Sequence, residues 1–193
     1  MESKKIILAS ASPRRREILI ENGIDFEVVI PSGEEKNIVG EKYSEELVNE
    51  CAIAKAKSVW ASTQSVGASS TSPIIVSCDT VVVNDGIIIG KPKYREDAVN
   101  ILKSLSGKTH TVASSVCVMK GDDVKVAHEI TKVTFRKLND KEIQDYIDRC
   151  NPLDKAGSYG IQDEGFDFAI KVEGNIDNVI GFPMKAFKNI IKL

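Results

Sequence analysis

Ile6-Ile7-Leu8-Ala9, then Ser10-Ala11-Ser12-Pro13, then Arg14-Arg15-Arg16, is the stretch on which the fold turns. Residues 5–9 form a short run with no polar alternation, which predicts a buried strand. Small residues follow, where a backbone can approach a ligand closely. Ser12 offers an N-cap and Pro13 the first helical position, and Gly23 stops the helix that the arginines open. Residues 26–30 predict a second strand, so the first thirty residues read as a βαβ-like unit. Helix N-termini carry unpaired N–H groups and partial positive charge, and arginine adds donors that match phosphate oxygens. Cations there oppose the helix macrodipole at a cost of about 0.3–1 kcal/mol each, which a bound anion would offset. The stretch has no glycine and lacks the G-x-x-x-x-G-K-[ST] pattern, so it is an anion clamp of another kind than the Walker P-loop.

Working outward, Ser44 is a candidate N-cap for a helix over 45–60, with Glu45 and Glu46 suited to its positive end. Residues 61–73 are rich in Ser, Thr and Gly and read as an exposed loop or linker. An apolar strand over 74–78 places Asp79-Thr80 at its end, before Val81-Val82-Val83 continues the pattern. Asn84-Asp85-Gly86 is a hairpin signal leading to 87–89. A helix is expected over 96–104, closed by Gly107, and then a long antiparallel hairpin of 109–119 and 124–136. Asn139-x-x-Glu142 starts a further helix as a capping box. Residues 151–165 read as a loop, 166–172 as a strand, Gly174 as a turn and 184–193 as a closing helix. The order implies an α/β or α+β class with a mixed sheet, built as one domain over residues 1–193.

The 193 residues carry a formal net charge of -2, with 42% hydrophobic and 28% charged residues. That balance gives no global field toward nucleic acid or an anionic membrane, and no basic stripe follows Arg16. Anion affinity must therefore be local. The N-terminal apolar run is too short for a signal peptide, and no run approaches membrane-spanning length. Cys51, Cys78, Cys117 and Cys150 show no metal-ligand spacing and read as reduced thiols of a cytosolic protein.

Beyond the clamp, Asp79 after an apolar strand stands where phosphate-handling enzymes commonly site an acid that holds a metal or activates water. Thr80 beside it offers a hydroxyl. Glu34, Glu35, Lys55, Lys91, Asp154 and Lys155 are charges whose value depends on convergence in space. A triphosphate with Mg²⁺ would need both signs. In the loop Asp154-Lys155-Ala156-Gly157-Ser158-Tyr159-Gly160-Ile161-Gln162, an amide beside glycines suits a planar polar group, since Gln both donates and accepts. His110 and His128 read as structural, and no nucleophile-elbow pattern supports a serine triad.

These segments together resemble the Maf family: 8–15 with its Ser-x-Ser-Pro-Arg-Arg core, Asp79-Thr80-Val81-Val82, Gly90-Lys91-Pro92, Leu105-Ser106-Gly107 with His110, Asp154-Lys155-Ala156-Gly157 with Tyr159-Gly160-Ile161-Gln162, and Val179-Ile180-Gly181 with Pro183. They fall in the family's order over nearly the whole chain. The resemblance implies a two-lobed fold with a central cleft, similar to the inosine triphosphate pyrophosphatases. It implies hydrolysis of the α–β phosphoanhydride of a nucleoside triphosphate with a divalent cation, Mg²⁺ or Mn²⁺, in the cytoplasm. It assigns Asp79 as proton acceptor and places Ser10, Arg14, Arg15, Lys55 and Lys91 at the phosphates. Glu35 would assist Asp79 in holding the metal, and Lys155 and Gln162 would contact substrate. The resemblance also implies a homodimer, although no hydrophobic stripe marks an interface, and family members have been linked to septum formation.

Three positions separate the family's subgroups, and Arg14, Thr80 and Gln162 all fall on the dTTP/UTP side, which extends to modified pyrimidine nucleotides. The alternatives are hydrolysis of 7-methyl-GTP, whose family members carry Trp, Gln and Glu in those places, or of inosine triphosphate, and a non-catalytic nucleotide-binding regulator of cell division. Ser77-Cys78 before Asp79, Asn151-Pro152, and the long 61–73 loop depart from the family's usual pattern without touching these positions.

Overall fold

The computed structural model describes residues 5–33, 36–64 and 72–191. Its strands are β1 (Ile6–Ala9), β2 (Glu27–Val29), β3 (Ile74–Asn84), β4 (Ile87–Ile89), β5 (Thr109–Lys120), β6 (Asp123–Phe135) and β7 (Ala169–Glu173). The helices are α1 (Pro13–Glu21), α2 (Glu45–Gln64), α3 (Arg95–Leu105), α4 (Asp140–Arg149), α5 (Ile176–Ile180) and α6 (Met184–Ile190). Among the described residues the strands form one seven-stranded sheet, ordered β2-β1-β3-β5-β6-β7 with β4 paired to β3. The β1–β2 and β1–β3 pairs are parallel and the others antiparallel, so the mixed α/β class and the opening βαβ unit are as the sequence implies.

The period of two in the central strands sorts the core onto two faces. Ile6, Leu8, Ile74, Val76 and Cys78 point to the face covered by α1 and α6, where they meet Ile18, Leu19, Phe182 and Phe187. Ile7, Ala9 and Ile75 point to the other face, under Ala52, Ala56 and Val59 of α2. The alanines let α2 lie close enough for the Ser77 hydroxyl to donate to the Ala52 carbonyl at 2.6 Å. Farther along β3, Val82 joins a second cluster under α3 and α4, with Leu102, Ile143 and Tyr146. Val81 and Val83 continue beneath the first turns of α2 with Val48 and Cys51.

Several boundaries differ from the sequence expectation. β3 does not stop at 78 but runs unbroken through Asp79 and Thr80, because Ser115 and Ser114 of β5 continue to pair with them. α2 runs past Trp60 to Gln64, taking in the first residues expected to be loop; 65–71 lie outside the described residues. β7 begins at Ala169, since Phe166 and Phe168 leave the strand to pack their rings on Tyr146. Ser12 occupies the N-cap position of α1 without a side-chain capping bond. The Ser44 cap, the Asp85-Gly86 turn with two positive φ angles, and the Asn139–Glu142 capping box are as expected.

Residues 151–165 contain a short 3₁₀ turn, Pro152–Asp154, and a second tight turn, Ala156–Ser158, whose backbone is left-handed at Gly157 and Ser158. Gly157 fixes the second: its φ is +73°, its N–H donates to the Gly90 carbonyl at 3.1 Å, and a Cβ there would stand 2.8 Å from a Val82 methyl. A left-handed alanine pressed on a stiff, buried valine has no cheap escape. Gly157→Ala should therefore destabilise the protein by about 2–4 kcal/mol, read as a shift in the denaturant midpoint at unchanged slope.

Candidate active site

β1 ends at Ala9, opposite Ser77, while its parallel neighbour β3 continues. The gap left past Ala9 exposes the next turns of β3 and opens a cleft of about 680 Å³ at the carboxyl end of β1. This is where an open α/β sheet accepts ligands. Strand alternation then divides two neighbours. Asp79 shares the face of Ile75 and Ser77 and meets α2, where its carboxylate lies 2.5 Å from Lys55 Nζ. Thr80 shares the face of Val76 and Cys78 and meets the α1 side.

On that side the Gly181 carbonyl is a hub. It accepts from Arg15 Nε at 2.9 Å, from the Thr80 hydroxyl at 3.2 Å and from the Cys78 thiol at 3.6 Å. Arg15 also donates to Ser10 Oγ and to Thr80 Oγ1, both at 3.3 Å, so three of its N–H groups are fixed by the protein. Ser10 is nearly buried and its hydroxyl also accepts the Ser12 N–H, which bends the chain into α1. Ser114 Oγ stands 2.9 Å from Thr80 Oγ1. With Gly181 as acceptor and Arg15 and Ser114 as donors, the Thr80 hydroxyl uses all its capacity inside the protein. Burial pushes the Cys78 thiol up, against the pull of Arg15, so it serves here as a neutral packing group.

The opposite rim is a chain of charges. Arg14 reaches across 140 residues to Asp154, at 2.8 Å from its carboxylate and 3.2 Å from its carbonyl. Burial raises the Asp154 carboxyl, but the hydrogen bond and charge of Arg14, with Lys155, outweigh it and hold the group below the usual range. Lys155 Nζ lies 3.3 Å from Asp154 and 3.6 Å from Asp163, and donates to the Asn151 carbonyl at 2.6 Å. Lys91, after β4, and Gln162 are exposed and also line the cleft. Arg16 does not line it, so the arginine run divides: two residues face the cleft and one does not. Glu34 and Glu35 lie outside the described residues. Ser10, Arg14, Arg15, Lys55, Asp79, Thr80, Lys91, Lys155 and Gln162 are thus brought to one cleft.

Six described cations line that cleft (Arg14, Arg15, Lys36, Lys55, Lys91 and Lys155) against three described carboxylates, in a chain of net charge -2. The excess is local and suits a small polyanion. Asp79 was expected at a strand end. It stands mid-strand, and what frees it is the end of the neighbouring strand rather than of its own.

The sequence pattern described as Maf-like protein matches residues 5–193. The chain belongs to the Maf family. Similar curated proteins include a dTTP/UTP pyrophosphatase of Aquifex aeolicus, 40% identical over 97% of this chain and 94% of its own length. Another so named, from Dictyoglomus thermophilum, is 42% identical over 97% of this chain and 95% of its own. Among solved structures, a Ham1 protein from Coxiella burnetii aligns with a TM-score of 0.47 at 16% identity, over 69% of this chain and 73% of its own.

In this Maf protein several groups that shape the cleft carry no local signal in the sequence. Asn178, fully buried in α5, donates to the Val112 and Glu129 carbonyls and to Thr131 Oγ1. That anchor holds the short helix on β5 and β6 and aims the Gly181 carbonyl at Arg15. Helical periodicity cannot find a five-residue helix, and a carbonyl has no letter. Ser114 could have been found only by knowing that its strand pairs with β3.

The two histidines are structural, as expected. His128 is held between Tyr43 and Ser115, both at 2.8 Å. His110, 2% exposed, bonds the hydroxyl of Tyr159, which lines the cleft, and packs edge-on against Phe135. Burial pushes the His110 imidazole down to about 4. The folded protein therefore keeps it neutral while the unfolded chain takes up a proton near pH 6.5. Its contribution is complete above that pH, falls as pH drops from 6.5 to 4, and falls no further below. Wild type should lose on the order of 3 kcal/mol over this window beyond the loss of a His110→Gln variant, read from denaturant unfolding at each pH.

Proposed function

We propose that this Maf protein is a nucleoside triphosphate pyrophosphatase acting on dTTP and UTP, and on modified pyrimidine nucleotides of the same shape. The observation that carries it is the Asp79 carboxylate, paired with the Lys55 ammonium in a cleft whose described lining carries six cations at the carboxyl end of β1. The full-length likeness to dTTP/UTP pyrophosphatases supports it. We take the chain as one domain whose two lobes, under α1 and α6 on one side and α3 and α4 on the other, flank the cleft. Among the described residues its four cysteines form no disulfide, which supports a reducing, cytoplasmic setting.

In this reading Asp79 accepts a proton from the attacking water as oxygen adds to the α-phosphorus, and the bond from that phosphorus to the β-bridging oxygen breaks in line. Nucleoside monophosphate and pyrophosphate result. Charge gathers on the leaving pyrophosphate, where Arg15 and Lys91 stabilise it. Arg15 needs no reorganisation, since Gly181, Ser10 and Thr80 already hold it. Thr80 acts on the substrate through Arg15.

No trio of His, Cys, Asp or Glu that could cage a metal occurs among the described residues. Mg²⁺ characteristically takes one or two carboxylates and completes its shell with substrate phosphates and water, so the donor set fits. Asp79 would hold the cation, with Glu35 as the second carboxylate. When bound, it neutralises phosphate charge and lowers the pKa of the attacking water. The pyrimidine assignment rests on Gln162, whose amide offers one acceptor and one donor to the imide edge of uracil or thymine.

Release of pyrophosphate from a panel of triphosphates, with Mg²⁺ or Mn²⁺ and with an EDTA control, tests the reading. dTTP and UTP should lead the panel, and EDTA should abolish turnover. Asp79→Asn should keep the fold and lower kcat by about a hundredfold or more. A purine preference, or near-wild-type turnover in that variant, would sink it.

A further inference from the structure

Gln162 sits at the tip of a four-residue turn that is closed twice. The Asp163 N–H donates to the Gly160 carbonyl at 3.2 Å, and the Gly160 N–H donates back to Asp163 Oδ2 at 3.1 Å. The two closures leave Ile161 and Gln162 as the central residues, both lining the cleft. The same carboxylate oxygen accepts the Tyr146 hydroxyl and lies 3.6 Å from Lys155 Nζ. Tyr146 is fully buried in α4, and its hydroxyl also lies 2.9 Å from the Gly160 nitrogen. Room for this knot exists because residue 160 has no side chain. A Cβ there would stand 2.6 Å from the Asp163 carboxylate. Burial first, and Asp163 second, raise the Tyr146 phenol, so it remains a donor to the carboxylate.

We infer that Asp163 is a positioning residue: it ties the 160–163 turn to α4 and to Lys155, and so presents the Gln162 amide to the nucleobase and sets base preference. The inference rests on the pyrophosphatase reading above. Three groups meet at one carboxylate, the Gly160 N–H, the Tyr146 hydroxyl and the Lys155 ammonium, and Lys155 continues through Asp154 to Arg14. The turn and the arginine clamp are therefore joined by one chain of charges. The partners of the Asp163 carboxylate are Gly160, Tyr146 and Lys155, so its loss should be felt in recognition more than in the chemical step.

The experiment compares wild type with Asp163→Ala, Asp163→Asn and Gly160→Ala for kcat and KM on UTP, dTTP and a purine triphosphate. Amide exchange at Gly160 is followed on the same samples. Asp163→Ala should raise KM for the pyrimidine nucleotides about tenfold and narrow their advantage over the purine, with kcat within about twofold. Asn can still accept from Gly160 and Tyr146, so Asp163→Asn should restore KM to within about threefold and keep the Gly160 amide slow. Gly160→Ala, which expels the carboxylate, should resemble Asp163→Ala. Faster Gly160 exchange in Asp163→Ala with KM and base preference unchanged overturns the inference, as does a fall in kcat at constant KM. If Asp163→Ala does not fold, Asp163→Asn decides: loss of base preference despite a slow Gly160 amide overturns it. A wild type inert toward every triphosphate overturns the pyrophosphatase reading and base preference with it, while Gly160 exchange still reports whether the knot exists.

Discussion

The structure depends on one mismatch in strand length. β1 gives out at Ala9 while β3, its hydrogen-bonded neighbour, goes on to Asn84. Had both strands ended together, Asp79 and Thr80 would be covered on their β1 side or absent from the sheet. Because β3 is held from its other side by β5 all the way through, it can lose one partner without fraying. The backbone at the bottom of the cleft is therefore as rigid as the core. Alternation then does the rest, sending a carboxylate to one face and a hydroxyl to the other from two adjacent residues.

Positive charge in the cleft is handled differently on its two sides. Around Arg15 the protein supplies neutral acceptors, chiefly a backbone carbonyl, so the guanidinium keeps its full charge for an anion. Around Arg14 and Lys155 it supplies carboxylates, so a bound polyanion there meets ion pairs that are already partly satisfied. The first arrangement favours strength and the second favours placement. An entering polyanion gains most where counter-charge is lacking.

Much of this was legible in the residues. A uniformly apolar Ile6–Ala9, the cap at Ser44, the Asp85-Gly86 turn and the Asn139–Glu142 box are local rules with local outcomes. The candidate residues could be picked one at a time, since lysines beside Gly-Pro and a lone acid among valines depart from their surroundings. What could not be read was their pairing. Arg14 with Asp154 spans 140 positions and Lys55 with Asp79 spans 24, and each depends on which strand lies beside which. Asp79 looked like a strand end because polarity interrupts the apolar run. In fact the strand continues, and the polarity marks where its neighbour stops. The sequence pattern carries β7 too far back, because Phe166 and Phe168 have strand-like side chains but serve aromatic packing on Tyr146.

The three long strands β3, β5 and β6 pass without a break beneath both groups of covering helices. Mechanically they are a single beam shared by both groups of helices. A hinge across the sheet would have to bend three hydrogen-bonded strands at once, breaking ladder bonds on either side of Asp79. The floor of the cleft and its carboxylate are therefore held by the same ladder bonds that hold the core, and Arg15 of α1 and Lys55 of α2 are each hydrogen-bonded to that floor.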